Sequence, residues 1–329
     1  MDIRQAYFEW RQVGGAPLDL KVGRQQISYG DQRVFGPGLW GNTGRYAWDA
    51  GKLHLDTSRA WIDLWAGRPI ENRPERWPNR EFAAPTAFVV YGGLKKLPCR
   101  FDLFYAGKFD GRKLTDGESG RGDLQSHSVG FQLQGQARER FDYTATGIRQ
   151  FGHYGQDRLD AFGFNGAAGV TAPIPWRPRL AGQFTWGSGD RDPADGRHGT
   201  FDGVFGGADI NFYGDMNLFY WANLRDYEWD VHLRPAETVR LAVEHHTYSL
   251  DQARDAWYST SLAVVRRDPT GLTGKALGHE LNLRIYWQPR KGVELMPGWG
   301  HFFPGPFAKA NGAGDAATGY FFQASWALN

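Results

Sequence analysis

The chain has 329 residues, a formal net charge of +2, 22% charged and 41% hydrophobic residues, and a mean hydropathy of −0.54. So balanced a charge gives no electrostatic footprint for nucleic acid, and no run of about 18 apolar residues exists to build a membrane-spanning helix. The single cysteine, Cys99, rules out an intramolecular disulfide and a cysteine-based metal site.

Aromatic residues make up 15% (14 Trp, 14 Tyr, 22 Phe) and glycine contributes 44 residues. Such content suits strands that bend at glycine and carry rings at a membrane interface, but it also suits a soluble carbohydrate-binding β-protein. Strand patterning separates the two. Residues 2–12 place Ala6, Phe8 and Trp10 opposite Tyr7, Glu9 and Arg11, and 18–28 place Leu18, Leu20 and Val22 opposite Asp19, Lys21 and Gln25. Period-2 alternation of this kind predicts strands with two unlike faces. Further strands are predicted near 45–55, 58–68, 85–95, 99–109, 124–137, 140–153, 157–170 and 177–187. Residues 223–234 alternate most cleanly, with Tyr227, Trp229, Val231 and Leu233 opposite Asp226, Glu228, Asp230 and His232. The series closes with 238–249, 279–288, 293–303 and 319–329, about fifteen strands in all, many near the roughly 9–11 residues that cross a bilayer at a tilt.

Short connections fall near 13–17, 56–57, 96–98, 138–139, 235–237 and 289–292. Long ones fall near 29–44, 69–83, 110–123, 187–222, 251–276 and 304–316, and the 187–222 insertion carries aromatics that suit an inward fold. Alternating short and long connections is the asymmetry of outer-membrane barrels, with short turns on the periplasmic side; a soluble sandwich has no reason to show it. The expectation is therefore an all-β protein: one transmembrane antiparallel up-and-down β-barrel domain over residues 1–329, in the bacterial outer membrane with lipid around it. Bacterial barrels have even strand numbers, and Met1-Asp2-Ile3-Arg4 leads straight into a strand pattern. The further expectation is that one or three strands and a signal peptide precede this sequence, for 16–18 strands in total.

Several segments resemble the bacterial alginate export family of outer-membrane porins. Leu20–Asp31 (LKVGRQQISYGD) and Trp40-Gly41-Asn42-Thr43-Gly44-Arg45 with Asp49 are similar to its G-R-Q, Y-G-D and W-x-N-x-x-R stretch. Phe201-Asp202, Gly214-Asp215 and Asn223-Leu224 resemble its central region, and Gly298–Gly305 its penultimate strand. The resemblance spans nearly the whole chain, in order. It implies passive export of an anionic, alginate-like polysaccharide through a pore lined with Arg and Lys, with periplasmic export partners and no cofactor. A general diffusion porin for small solutes is the alternative on the same fold.

Residues expected to line the pore or touch cargo are Lys21, Arg24, Gln25, Arg33, Trp40, Asn42, Arg45, Asp49, Arg100, Arg240 and Arg284. For Gly23-Arg24-Gln25 with Tyr29-Gly30-Asp31, anchoring a long loop by a glycine bend and an Arg–Asp pair explains the same residue types as cargo contact. Trp40 and Asn42 suit stacking and hydrogen bonding to sugars. The inward faces nevertheless carry both signs, Lys108 and Arg179 among Asp63, Asp102, Asp226, Glu228, Asp230, Glu244 and Glu280. The row Asp226, Glu228, Asp230 is expected to pair with Arg240 on the next strand. No metal site is expected, because the adjacent His245 and His246 project to opposite faces. No G-x-S-x-G, H-E-x-x-H or phosphate-loop pattern points to an enzyme.

Overall fold

The computed structural model describes residues 3–36, 47–70, 75–80, 85–206 and 212–327. Its strands are β1 (Ala6–Trp10), β2 (Leu18–Gln26), β3 (Ala47–Asp56), β4 (Ala60–Pro69), β5 (Thr86–Leu94), β6 (Arg100–Gly117), β7 (Gly120–Ala137), β8 (Phe141–Tyr154), β9 (Asp157–Thr171), β10 (Arg179–Gly187), β11 (Arg197–His198), β12 (Leu224–Ala236), β13 (Val239–Leu250), β14 (Ala256–Tyr258), β15 (Val264–Arg267), β16 (Ala276–Arg290), β17 (Val293–Pro304) and β18 (Ala317–Trp326). Fifteen of these follow one another along a single antiparallel path from β1 to β18, while the two-residue β11 pairs with β9 from outside it and β14 pairs with β15. Every sequential neighbour is thus a spatial neighbour, the up-and-down order expected from short connections.

Three predicted loops change character. Asp110–Asp123 is not a loop: β6 runs to Gly117 and β7 resumes at Gly120. The backbone ladder continues past the apolar band, where side chains such as Arg112 and Arg121 pair with Asp110 and Asp116, so the hydrophobic alternation fades while the strand does not. The 251–276 connection contains the β14–β15 hairpin, and 304–316 contains the short helix α1 (Pro306–Ala310).

The faces of the strands are inverted relative to a water-soluble sheet. On β12, Asp226, Glu228 and Asp230 are 0%, 9% and 7% exposed, whereas Tyr227, Trp229 and Val231 between them are 49%, 63% and 37% exposed. The same holds on β16, where Glu280, Asn282 and Arg284 are buried and Leu283, Ile285 and Trp287 are exposed, and on β6, where Asp102 is buried beside exposed Leu103. In water this pattern would be costly twice: buried charges lose hydration, and each exposed ring forfeits about 25 cal/mol per Å² of apolar burial. Lipid against the apolar face removes the second cost, and the first is met by pairing on the polar face, as in Arg284 with Glu244. No helix among the described residues is long and apolar enough to cross a membrane; the crossing is made by strands.

Packing divides the chain into two compact units: Met1–Leu133, Thr146–Gly163 and Asp192–Asp209 form the first, and Gln134–Ala145, Phe164–Arg191 and Ile210–Asn329 the second. In the first, Phe35 from the connection after β2 settles on the polar side of the sheet among Tyr29, Trp65, Tyr91 and Phe104, with ring centroids 5.6–6.2 Å away. Tyr29 stacks on Tyr91 at 4.0 Å, and its hydroxyl donates to Asp63 at 2.6 Å. Burial and that carboxylate hold the Tyr29 phenol far above its ordinary pKa.

In the second unit the connection before β12 turns onto the polar side, as its aromatics suggest. Phe212, Tyr213, Phe219, Tyr220 and Trp221 are buried. Phe219 stacks on Tyr248 at 3.9 Å and on Trp257 at 5.1 Å. The Met216 amide donates to Glu280 Oε1 at 3.0 Å, and the Tyr248 hydroxyl donates to the Tyr213 carbonyl at 3.0 Å. Gly214 lets the segment lie this close. Its φ is +92°, and a Cβ there would come within 2.3 Å of the Tyr248 hydroxyl and 2.4 Å of Glu280 Oε1.

The inverted faces carry a direct test. Leu283→Arg, on the apolar face of β16, is expected to lower unfolding free energy in lipid vesicles by about 2–4 kcal/mol if the residue sits near the bilayer midplane. An unchanged denaturant midpoint would mean that this face does not meet lipid.

Candidate functional site

Adjacent residues on one strand cannot share a face, and this sorts the predicted residues. In the β2–β3 register Lys21 lies opposite Lys52, Gly23 opposite Ala50 and Gln25 opposite Trp48, all on the polar side; Arg24 lies opposite Asp49 on the other side, the one that carries exposed Val22 and Leu53. Arg24 and Asp49 therefore do not share the face of Lys21, contrary to expectation. They form a bidentate pair, Nε to Oδ1 at 2.9 Å and a terminal nitrogen to Oδ2 at 3.0 Å, and Arg24 also donates to the Ile3 carbonyl at 3.3 Å. Gln25 is fully buried and its amide donates to the Ala50 carbonyl at 3.0 Å, which makes it structural. Gly23, with φ +124° and a notional Cβ 2.5 Å from the Ala6 carbonyl oxygen, is a bend against β1. Arg33 is buried with Asp31, whose carboxylate accepts from the Arg33 amide at 3.0 Å and from its side chain at 3.4 Å. The loop-anchoring explanation thus accounts for this motif. Trp40, Asn42 and Arg45 lie outside the described residues.

Lys21 and Arg100 do meet at one place. They border an open cavity of about 410 Å³ in the first unit, together with Lys52, His54, Trp61 and Asp63. Lys21 Nζ sits 3.6 Å from the Tyr7 ring centroid. Asp63 is the hub: it accepts from Lys52 Nζ at 3.1 Å and lies 2.5 Å from His54 Nδ1, beside the Tyr29 contact. Arg100 Nε donates to Asp102 at 2.8 Å. The cavity thus offers Trp61 and several charged groups of both signs, a set able to bind a sugar by stacking and hydrogen bonds. Lys52, His54, Trp61 and Asp63 were legible as alternate residues of two strands, but nothing in the pattern marked them as neighbours across the β3–β4 register.

In the second unit Arg240 stacks over the Tyr286 ring at 3.9 Å and does not pair with the β12 acidic row. The register explains why: Arg240 is opposite Tyr286 on β16, whereas Asp230, Glu228 and Asp226 are opposite Glu244, His246 and Tyr248. Arg240 instead belongs to a basic cluster at the short-turn ends of β9, β10, β12 and β13. With Arg177, Arg179, Arg234 and His232 it lines a cavity of about 220 Å³, and Arg234 and Arg240 also border a neighbouring one of about 200 Å³. Arg179 is neutralised by Asp142 at 2.7 Å and Asp230 at 2.7 Å. Arg177, Arg234 and Arg240 have no carboxylate in ion-pair contact among the described residues. Of these three, alternation marks Arg240 alone; Arg177 stands in a turn and Arg234 beside the β12 irregularity, where alternation gives no face.

Arg284 is buried and bonded to Glu244, with Asp215 3.0 Å from its Nε. It clamps the inward segment and is shielded from solvent. Burial pushes the Asp215 carboxyl up to about 7; Arg284 opposes the rise, Glu244 and Glu280 add to it, and His246 opposes it weakly. Such a group binds its proton more tightly with the segment seated than released. Between the ordinary carboxyl range and about pH 7 only the seated form holds the proton, so seating weakens as pH rises through that window and the penalty is complete above it. Proteolysis within 212–222 is expected to quicken from pH 5 to pH 8, and Asp215→Asn to flatten the trend. A steeper profile in that variant would contradict the assignment.

The sequence profile of a family described as alginate export matches residues 1–322. Among solved structures the chain is similar to OccK11 (OpdR) of Pseudomonas aeruginosa, at 13% identity and a TM-score of 0.57, covering 94% of this chain and 77% of that one. It is similar also to the outer membrane protein OprD of the same organism, at 12% identity and a TM-score of 0.57, covering 94% and 74%. No curated protein matches the sequence.

Proposed function

Since the chain belongs to the alginate export family, a family of outer-membrane β-barrel channels, we propose that it passes an anionic, alginate-like polysaccharide passively, collecting it at the short-turn end. One observation carries this reading: Arg177, Arg234 and Arg240 converge on one cavity with no carboxylate in ion-pair contact among the described residues. Guanidinium groups bind carboxylates through paired, charge-assisted hydrogen bonds, and a uronate polymer presents a carboxylate on every sugar. Short turns face the periplasm in outer-membrane barrels, so the cluster lies where an exported chain would enter. In the first unit several basic groups on the polar face already have partners, as in Lys52–Asp63, Arg100–Asp102 and Lys108–Asp202. A bound polymer would then be released rather than trapped, which conduction requires. Delivery by periplasmic export partners fits this reading, and no bond-making step is part of it.

The same pairing favours a second reading, a diffusion porin for small solutes, because a wall of neutralised pairs exerts little net field. Reversal potentials under a salt gradient in planar bilayers, with and without uronate oligomers, separate the two. Anion selectivity with current block is expected, and the Arg177→Gln/Arg234→Gln/Arg240→Gln variant should weaken block by about tenfold or more, the equivalent of one lost charge-assisted contact. Block that survives the triple variant would remove the arginine cluster from the mechanism. Weak or cationic selectivity without block would leave the diffusion porin.

A further inference from the structure

The acidic row of β12 raises a separate question, independent of the cargo. Asp226 and Glu228 are successive residues on the polar face of β12, and Glu228 is directly opposite His246 on β13. One carboxylate oxygen from each acid and one ring nitrogen of His246 all lie within 4.8 Å of one another. From this geometry we propose that Asp226, Glu228 and His246 form a binding site for a divalent first-row transition ion of the zinc or manganese class.

Four observations support the site. His246 Nδ1 lies 3.0 Å from Asp226 Oδ2 and 3.1 Å from Oδ1, and ligand atoms bonded to one such ion at about 2.0–2.2 Å are themselves roughly 3.0–3.5 Å apart. The contact thus has the spacing of a coordination edge as well as that of a hydrogen bond. Secondly, the three residues are 0%, 9% and 1% exposed. Two buried acids face one imidazole, and a divalent ion bound by both carboxylates would balance their charge. Thirdly, His246 Nε2 is buried without a hydrogen-bond partner among the described residues, so Nδ1, which faces Asp226, is the ring nitrogen placed to ligate. Fourthly, the ligands are held from outside. Gln183 Nε2 donates to Glu228, and the Tyr248 ring stacks on His246 at 5.3 Å and 12°, the kind of support that orients metal ligands.

The surrounding acids do not compete for this role. Glu244 is engaged by Arg284, and Glu280 by the Met216 amide. The imidazole decides the ion class, since calcium and magnesium prefer oxygen-only shells and imidazole suits zinc and its neighbours.

The test uses the full chain in detergent micelles, stripped with a chelator and titrated with zinc in a calorimeter, with magnesium for comparison. One saturable zinc per chain is expected, with magnesium at least 100-fold weaker. Glu228→Gln and His246→Gln should each weaken zinc by 100-fold or more, while Asp315→Asn, on an exposed loop, leaves it unchanged. If His246→Gln fails to fold, X-ray absorption of the zinc-loaded wild type replaces it and should show a single imidazole among oxygen ligands. Absence of stoichiometric zinc uptake, uptake undiminished by Glu228→Gln, or an oxygen-only shell would each overturn the proposal.

Discussion

Everything in this fold depends on the demand that a chain crossing hydrocarbon satisfy its own backbone. Lipid offers no hydrogen bonds, so each N–H and C=O must find a neighbouring strand. Between its two ends, each strand of the β1-to-β18 path has a partner on both sides, and the demand fixes the side chains too. Alternate residues must go to opposite faces; the lipid takes Trp229, Leu283 and Ile285, and what remains for the other face is Asp226, Glu244 and Arg284. The charged interior is therefore less a luxury than the complement of an apolar exterior.

Such an interior needs internal accommodation, and the protein uses two devices. The first is pairing: Lys52 with Asp63, Arg100 with Asp102, Arg284 with Glu244. The second is to bring chain back onto the polar face, so that amides and hydroxyls from the connections meet carboxylates from the strands. Tyr29 on Asp63 and the Met216 amide on Glu280 are examples, one from each compact unit. The arginines at the short-turn end and the cluster around His246 on β12–β13 are two places where these devices leave groups over.

The architecture was largely legible in the sequence. Alternation located fifteen strands, and loop asymmetry gave their order, because both follow from backbone geometry that each short segment obeys by itself. The β6–β7 connection was misread where polar residues hid a continuing strand, since hydropathy reports the membrane and not the ladder. The site was much less legible. Lys21, Arg100 and Arg240 border cavities, whereas Arg24 and Asp49 turn to the other face, Gln25 bonds backbone, and Arg284 clamps a loop. Face follows from counting along one strand. Partners depend on register between strands, and a one-residue shift would exchange them all. That is why Arg240 was assigned to the β12 acids when it meets Tyr286, and why His246 was weighed against its chain neighbour His245 rather than against Asp226 and Glu228 across the ladder.

The β6–β7 hairpin has a mechanical consequence. Each of its strands has 18 residues, about 60 Å of extended chain at roughly 3.4 Å per residue. Tilted at about 40°, that is near 45 Å along the membrane normal, against an apolar band of about 25 Å. The surplus forms a stiff, hydrogen-bonded ribbon standing clear of the membrane on the side opposite the short turns, closed by only Glu118 and Ser119. A ribbon of this kind behaves as a post rather than a tether: whatever it touches outside the cell is held at a fixed height above the lipid. Its rigidity comes from the same ladder that crosses the bilayer, so a force applied at its tip is passed directly into the barrel wall.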